Sequence, residues 1–297
     1  MKTTTTTCFL AACLSLGGAL DASAQCTQNP ASTLPGTIEY GYLYALNSYN
    51  EVWKLSLSDF SAEMLVDLGP ECVSDIGVAS DAIYVGVDEH LETAPPFDWE
   101  GRVFRIQESP VLTSGVYLSC PELSPGCGNL SAMAVRPVAG AEEVVTAGGI
   151  QSRVFAHASR PPTCGSIDFE WTPPAHLADF TYLKLSPTNP TLAFGLVTTP
   201  DCPEPTTGAP SSRLVMVDDT DGSQTDMGCV THDGDIPHQL YGLAASCDGR
   251  LWAGGFDFSR ELYVINPLTA EATKQAFSMP PMRILGLAAR ITPPAGP

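Results

Sequence analysis

Short apolar runs, each closed by a cluster of Gly, Pro, Asn, Asp or Ser, recur from one end of the chain to the other. The clearest series is residues 239–277, which reads as four strands. These are a small-residue run over 240–246, then 251–255, 261–265 and 272–277, with Cys247-Asp248-Gly249 as the first turn. Strands of this length with turn residues at this spacing predict one four-stranded antiparallel unit. No segment has a 3.6-residue apolar period long enough to predict a main-fold helix.

The same unit repeats. Strands are predicted over 76–79, 83–87, 102–106 and 116–119, then over 130–136, 143–147, 153–156 and 167–171. A further set covers 180–186, 192–196, 213–217 and 225–230. Near the N-terminus, 39–46, 52–57 and 63–68 supply three strands, and 284–289 stands alone at the other end. Two anchors alternate through the units. One is a small-residue first strand, placed at Gly77, Ala132, Tyr182, Gly242 and Gly286; the other is a third strand of the type EVWKL, RVFRI, RVFAH, RLVMV or ELYVI. Their period of about 50 residues is in the range of propeller blades. The first unit lacks only a first strand, and the last unit is only a first strand. Together they predict a composite blade that closes a ring and removes its open edges. The expectation is an all-β, five-bladed β-propeller in a single domain over residues 36–293. A six-bladed ring is the alternative, if a degenerate blade hides in 98–125 or 198–228.

Phrases such as GLAASCDGRLWAGG and ELYVINPLTAEA resemble those of bacterial exported β-propellers of the broad NHL/YVTN/lactonase-like kind. The resemblance covers nearly the whole chain after residue 24. It implies a scaffold and not a substrate, since one fold carries many functions.

The first residues change the compartment. Lys2, an apolar run over 8–20 and Ala22-Ser23-Ala24 resemble a signal peptide, residues 1–24, cut before Gln25. An extended lead-in over 25–35 and a tail over 294–297 flank the domain. Secretion, or residence in the periplasm or cell envelope, follows. The alternative is a lipoprotein anchored through Cys13 of Leu10-Ala11-Ala12-Cys13. No run approaches the ~20 apolar residues of a spanning helix. After cleavage Cys26, Cys72, Cys120, Cys127, Cys164, Cys202, Cys229 and Cys247 remain, an even set without CxxC, which points to disulfide bonds. Cys120 and Cys127, on either side of a Pro-containing loop, are the candidate local pair; the other pairings stay open. A formal charge of −19 disfavours nucleic acid as a partner and favours cations.

Function is sought on the face where the loops entering each first strand meet those joining second to third strands. Three positions before the anchors stand Ser74, Asn129, Asp179, Gln239 and Arg283, a polar set at the channel mouth and the candidate ligand-binding ring. His232, Asp233, Asp235 and His238 in HDGDIPH, with His176 and His90 on the same predicted face, could hold a divalent metal, calcium or zinc, or do acid–base work. Against this, the spacing matches no standard zinc motif, and Asp-Gly is a common turn pair. Loop 88–100 adds five carboxylates with Phe97 and Trp99. The DDTDG at 218–222 lacks the closing Glu of a calcium loop and reads as a hairpin turn. GxSxG, Walker and HExxH motifs are absent. The reading is a monomeric, non-enzymatic binding module for a small molecule, glycan or protein. A metal-dependent hydrolase or lactonase-like enzyme and a structural envelope component are the alternatives.

Overall fold

A computed structural model describes residues 41–68, 73–80, 82–90, 99–106, 116–118, 130–138, 141–148, 153–157, 167–171, 177–183, 191–218, 223–255 and 257–290. The signal peptide, Cys13, the lead-in and the tail lie outside them, as do Asn129, His176 and the Cys120–Cys127 pair.

The strands in chain order are β1 (Tyr42–Asn47), β2 (Glu51–Ser56), β3 (Ala62–Asp67), β4 (Val73–Val78), β5 (Ile83–His90), β6 (Trp99–Ile106) and β7 (Val116–Leu118). Next come β8 (Leu130–Val138), β9 (Ala141–Gly148), β10 (Arg153–His157), β11 (Ile167–Trp171), β12 (Leu177–Leu183), β13 (Leu192–Pro203) and β14 (Pro210–Val217). The last are β15 (Gln224–Cys229), β16 (Thr231–His232), β17 (Leu240–Ala245), β18 (Leu251–Gly255), β19 (Glu261–Ile265), β20 (Glu271–Ala276) and β21 (Ile284–Ala289). They form five sheets: β21-β1-β2-β3, β4 to β7, β8 to β11, β12 to β15, and β17 to β20 with β16 on the outer edge. Every pairing is antiparallel except that of β16 with β20. The fold is all-β and propeller-like, and no helix occurs among the described residues.

The two ends of the domain meet in one sheet. Leu43, Tyr44, Ala45 and Leu46 of β1 face Ala289, Ala288, Leu287 and Gly286 of β21. Residues 198–203 and 210–212 lengthen β13 and β14 rather than starting another sheet, and β6 and β7 belong with β4 and β5. Strand β16 is an addition that the repeat pattern does not predict. Its pairing beside β20 follows from a two-residue turn, in which Asp233 and Gly234 both take positive φ and His232 and Asp235 exchange backbone hydrogen bonds.

Burial falls from first strand to last in the sheets that run from β21 to β3, from β12 to β15 and from β17 to β20. All seven residues of β12 are buried, whereas β15 is half-exposed to exposed throughout. First strands have another sheet against each face, so they are apolar on both sides; fourth strands are rims. Among the described residues the core falls into five clusters, each between two sheets. Tyr44, Leu46 and Val52 pack on Ile76, Val78 and Val85, and Ala82 and Tyr84 on Met133 and Val144. Ala132, Ala134 and Val145 pack on Phe180 and Val197, and Leu196 and Leu214 on Leu243 and Ala253. Finally Trp252, Leu262 and Phe277 pack on Leu43, Leu55 and Leu287. In the last of these, Phe277 stands edge-on to both Phe60 (5.5 Å) and Trp252 (5.8 Å), and the Trp252 indole donates to Ser246 Oγ at 3.0 Å.

Candidate functional site

Each first strand skips one residue in its pairing near its N-terminal end, a β-bulge. The skipped residues are Ser74, Ser131, Ala178, Tyr241 and Leu285. The residues that follow, Asp75, Ala132, Asp179, Gly242 and Gly286, are therefore structural equivalents. This corrects the sequence register by two residues in β4 and by three in β12. The small-residue anchor misleads there, because those two strands carry an acid where the other three carry Ala or Gly. The shared signature is a small or acidic residue, a large apolar one, then a small one: Asp75-Ile76-Gly77, Ala132-Met133-Ala134, Asp179-Phe180-Thr181, Gly242-Leu243-Ala244 and Gly286-Leu287-Ala288.

The two acids are fully buried and meet each other. Asp75 Oδ1 accepts from the N–H of Ile76 at 2.7 Å, and its Oδ2 from that of Met133 in β8. Asp179 Oδ1 accepts from Phe180 N–H at 2.6 Å, and its Oδ2 from that of Leu243 in β17. Two carboxyls thus satisfy four backbone donors on four different first strands, donors that would otherwise be buried at a cost. The carboxyls also hydrogen-bond one another. Burial pushes both well above the ordinary carboxylate range, and for Asp179 the charge of Asp75 adds to it. Two residues further along the strand, Thr181 Oγ1 accepts from Ala245 N–H at 3.1 Å. Asp179 therefore sits in the interior and not at a solvated mouth. Asp75, the member that sequence reasoning missed, was detectable only through that three-residue signature.

A second group lies on the loops around the N-terminal ends of the first strands. Arg283, just before β21, lays its guanidinium over the Phe258 ring at 4.7 Å, and Tyr49 lies 6.4 Å from the same ring. Tyr49 comes from the β1–β2 turn and Phe258 from the β18–β19 loop. Backbone bonds tie these segments together: Ser48 N–H donates to Arg283 O at 3.0 Å, and Met282 N–H to Ser259 O at 3.0 Å. The entering segment and the second-to-third loops thus converge here, as expected. Tyr49 (57% exposed) and Phe258 (51% exposed) are large apolar side chains open to solvent. The β1–β2 turn presents Tyr49 because Asn47 Oδ1 accepts from Tyr49 N–H (2.9 Å) and Glu51 N–H (3.0 Å), with Asn50 at φ 63°.

The group continues from Phe258 through its neighbour Asp257. His238 contacts Asp257 with Nε2 at 3.7 Å and Glu204 with Nδ1. Glu204 is held below the ordinary carboxylate range, first by the 2.5 Å hydrogen bond from Thr207 and then by His238. Gln239 donates to Thr198 Oγ1 at 2.7 Å. Of the expected polar ring, Gln239 and Arg283 lie on this side, Ser74 is a bulge residue, and Asp179 lies in the interior.

The HDGDIPH residues divide. His238 joins the group just described. His232, in the added edge strand, contacts Ala272 O at 3.1 Å, Asp233 at 3.5 Å and the edge of Tyr263. Among the described residues, no group of three or more His, Cys, Asp or Glu side chains is placed to hold a metal ion. A disulfide joins Cys202, in the extension of β13, to Cys229 at the end of β15. Cys247 is disulfide-bonded as well. The Cys202–Cys229 bond fits an oxidising, extracytoplasmic compartment, and no helix among the described residues is long and apolar enough to cross a membrane.

The structure is similar to that of a glutaminyl cyclase from Myxococcus xanthus, with a TM-score of 0.43 and 10% identity over 74% of this chain and 71% of that one. It is similar to a chain of a nidogen/laminin complex, with a TM-score of 0.46 and 9% identity over 83% of this chain and 97% of that one. It is also similar to apo AztD from Citrobacter koseri, with a TM-score of 0.33 and 12% identity over 84% of this chain and 63% of that one. No family model matches the sequence, and no curated protein matches it.

Proposed function

We propose that this chain is an exported, disulfide-bonded five-bladed propeller, of the NHL/YVTN/lactonase-like kind, that works as a non-enzymatic binding module. Support for the ring comes from the five sheets, from the five core clusters that link each sheet to the next, and from the pairing of β21 with β1. The observation that carries the binding reading is the Tyr49–Phe258–Arg283 cluster. Two half-exposed aromatic rings and a stacked guanidinium gather from three loops on one face. Aromatic and Arg side chains held by their surroundings contribute large contact area at low entropic cost, which is why they dominate recognition surfaces.

The flat rings, with His238, Asp257 and Gln239 close by in the chain or in space, suit a ligand with an apolar face and a hydroxylated or amide edge, such as a sugar ring or an extended peptide. The enzyme alternative asks Asp179 to do acid–base work with His232 and His238. Asp179 is fully buried with both oxygens engaged, and the two histidines hold different partners. The binding reading is tested by probing the purified protein and a Tyr49→Ala/Phe258→Ala variant with arrays of neutral oligosaccharides and unmodified peptides. Binding that disappears in the variant at unchanged melting temperature supports it. No binding, or binding equal in the variant, counts against it.

A further inference from the structure

We infer that Asp75 and Asp179 share a single proton, and that this proton latches the first strands of the second and fourth sheets together. The geometry leads there. The two acids occupy the same register position in strands that are not neighbours, with β8 of the third sheet between theirs in sequence. Their carboxyls are in hydrogen-bond contact, and a hydrogen bond between two carboxyl groups needs a proton on one of them. Both side chains are 0% exposed, so no solvent screens a second negative charge. The surrounding positions have been kept small: Ala132, Gly242 and Gly286 stand at the three remaining equivalents. At Gly286 a Cβ would overlap Asp75 Oδ1.

Among the described residues, no lysine or arginine offsets the pair. At this level β8, β17 and β21 offer Ala132, Gly242 and Gly286. The other titratable groups on the packed elements are Tyr182 on β12, Tyr42 and Tyr44 on β1, Tyr241 on β17, Tyr84 on β5 and Arg136 on β8, the last paired with Glu143. Asp88, Glu89 and His90 lie at the end of β5, Glu142 and Glu143 near the start of β9, and Asp201 in the extension of β13. The one charge that acts on Asp179 among the described residues is that of Asp75. The four backbone donors stabilise one anion shared between the acids, and the remaining proton removes the repulsion. Once that proton leaves, two buried anions face each other at the centre of the inner strands.

Both acids are raised well above the ordinary carboxylate value that holds in the unfolded chain. Their contribution to stability is therefore fully present below that value and is lost as pH rises through the folded-state value. The latch opens toward alkaline pH, and it does so whatever the loop face binds.

The test is infrared spectroscopy of the full chain at pH 7, beside an Asp179→Asn variant whose amide can donate to Asp75 without a titratable proton. A protonated-carboxyl C=O band, shifted in D2O and missing from the variant, is expected. Denaturant titrations from pH 4 to 9 should show wild-type stability falling relative to the variant as pH rises. If Asp179→Asn does not fold, Asp75→Asn replaces it, since its amide can donate to an ionised Asp179 and the band should again be lost. Absence of the band from wild type, or parallel pH profiles for wild type and variant, overturns the inference.

Discussion

Gly286 of β21 and Asp75 of β4 compete for one space: a Cβ built on Gly286 would overlap the Asp75 carboxyl and lie 3.0 Å from Asp75 Cα and from Ile76 N. The glycine is therefore a spatial requirement of the buried acid and not a turn residue. Gly286→Ala should destabilise the fold by at least the roughly 1–3 kcal/mol of an overpacked core. Gly255→Ala is the control, because its Cβ would meet Leu240 Cδ2 at an ordinary 3.7 Å. Urea titration should leave the control close to wild type. Equal stability of both variants would remove the spatial argument.

Asp75→Ala and Asp179→Ala each leave two buried N–H groups without an acceptor, those of Ile76 and Met133 or of Phe180 and Leu243. An unsatisfied buried donor costs about 1–3 kcal/mol, so each variant should lose at least that much in equilibrium unfolding. The double variant should lose less than the sum, since each single variant already breaks the favourable contact between the acids and the double variant loses it only once. Strict additivity would show that the carboxyls do not interact.

The Cys202–Cys229 bond spans 27 residues and ties the β13 extension to β15. In the loop-entropy account, closing a loop of this length is worth about 3–4 kcal/mol. A Cys202→Ala/Cys229→Ala variant should show that loss in denaturant midpoint. The entry-face hydrogen bond of Gln239 to Thr198 should weaken with it, because β13 beyond Thr198 is then less constrained. Undiminished stability would mean that the extension is held by its other contacts.

Tyr49→Ala/Phe258→Ala removes half-exposed rings outside the five core clusters. Its stability should stay within about 0.5 kcal/mol of wild type, as for surface substitutions generally. A larger drop in melting temperature would recast the rings as packing residues.

Much of the strand pattern was legible, because alternating apolar runs and turn residues are local properties. The ELYVI-type third strands and the CDG turn, with Gly249 at φ 81°, follow directly from residue types. The pairing of β1 with β21 was legible too, since complementary ends imply each other. The register of the first strands was not. A bulge shifts pairing by one residue without a fixed sequence signal, and Asp75 and Asp179 hide the small-residue anchor. Their contact is between strands of different sheets, which no local pattern encodes. Nor could composition reveal that Arg283 would stack on Phe258, which comes from a loop about 25 positions earlier. His232 and His238 share one heptapeptide and one expected face, yet the positive-φ turn at Asp233-Gly234 turns the chain between them.

The proposed ring of five sheets is closed by the pairing of its own ends. The most direct measurement is a set of cross-strand nuclear Overhauser contacts between residues 43–46 and 286–289 in the deuterated full chain. A ring closed in this way gives contacts in the register Leu43–Ala289, Tyr44–Ala288, Ala45–Leu287 and Leu46–Gly286. A C-terminal strand without them, or paired with another strand, would contradict it.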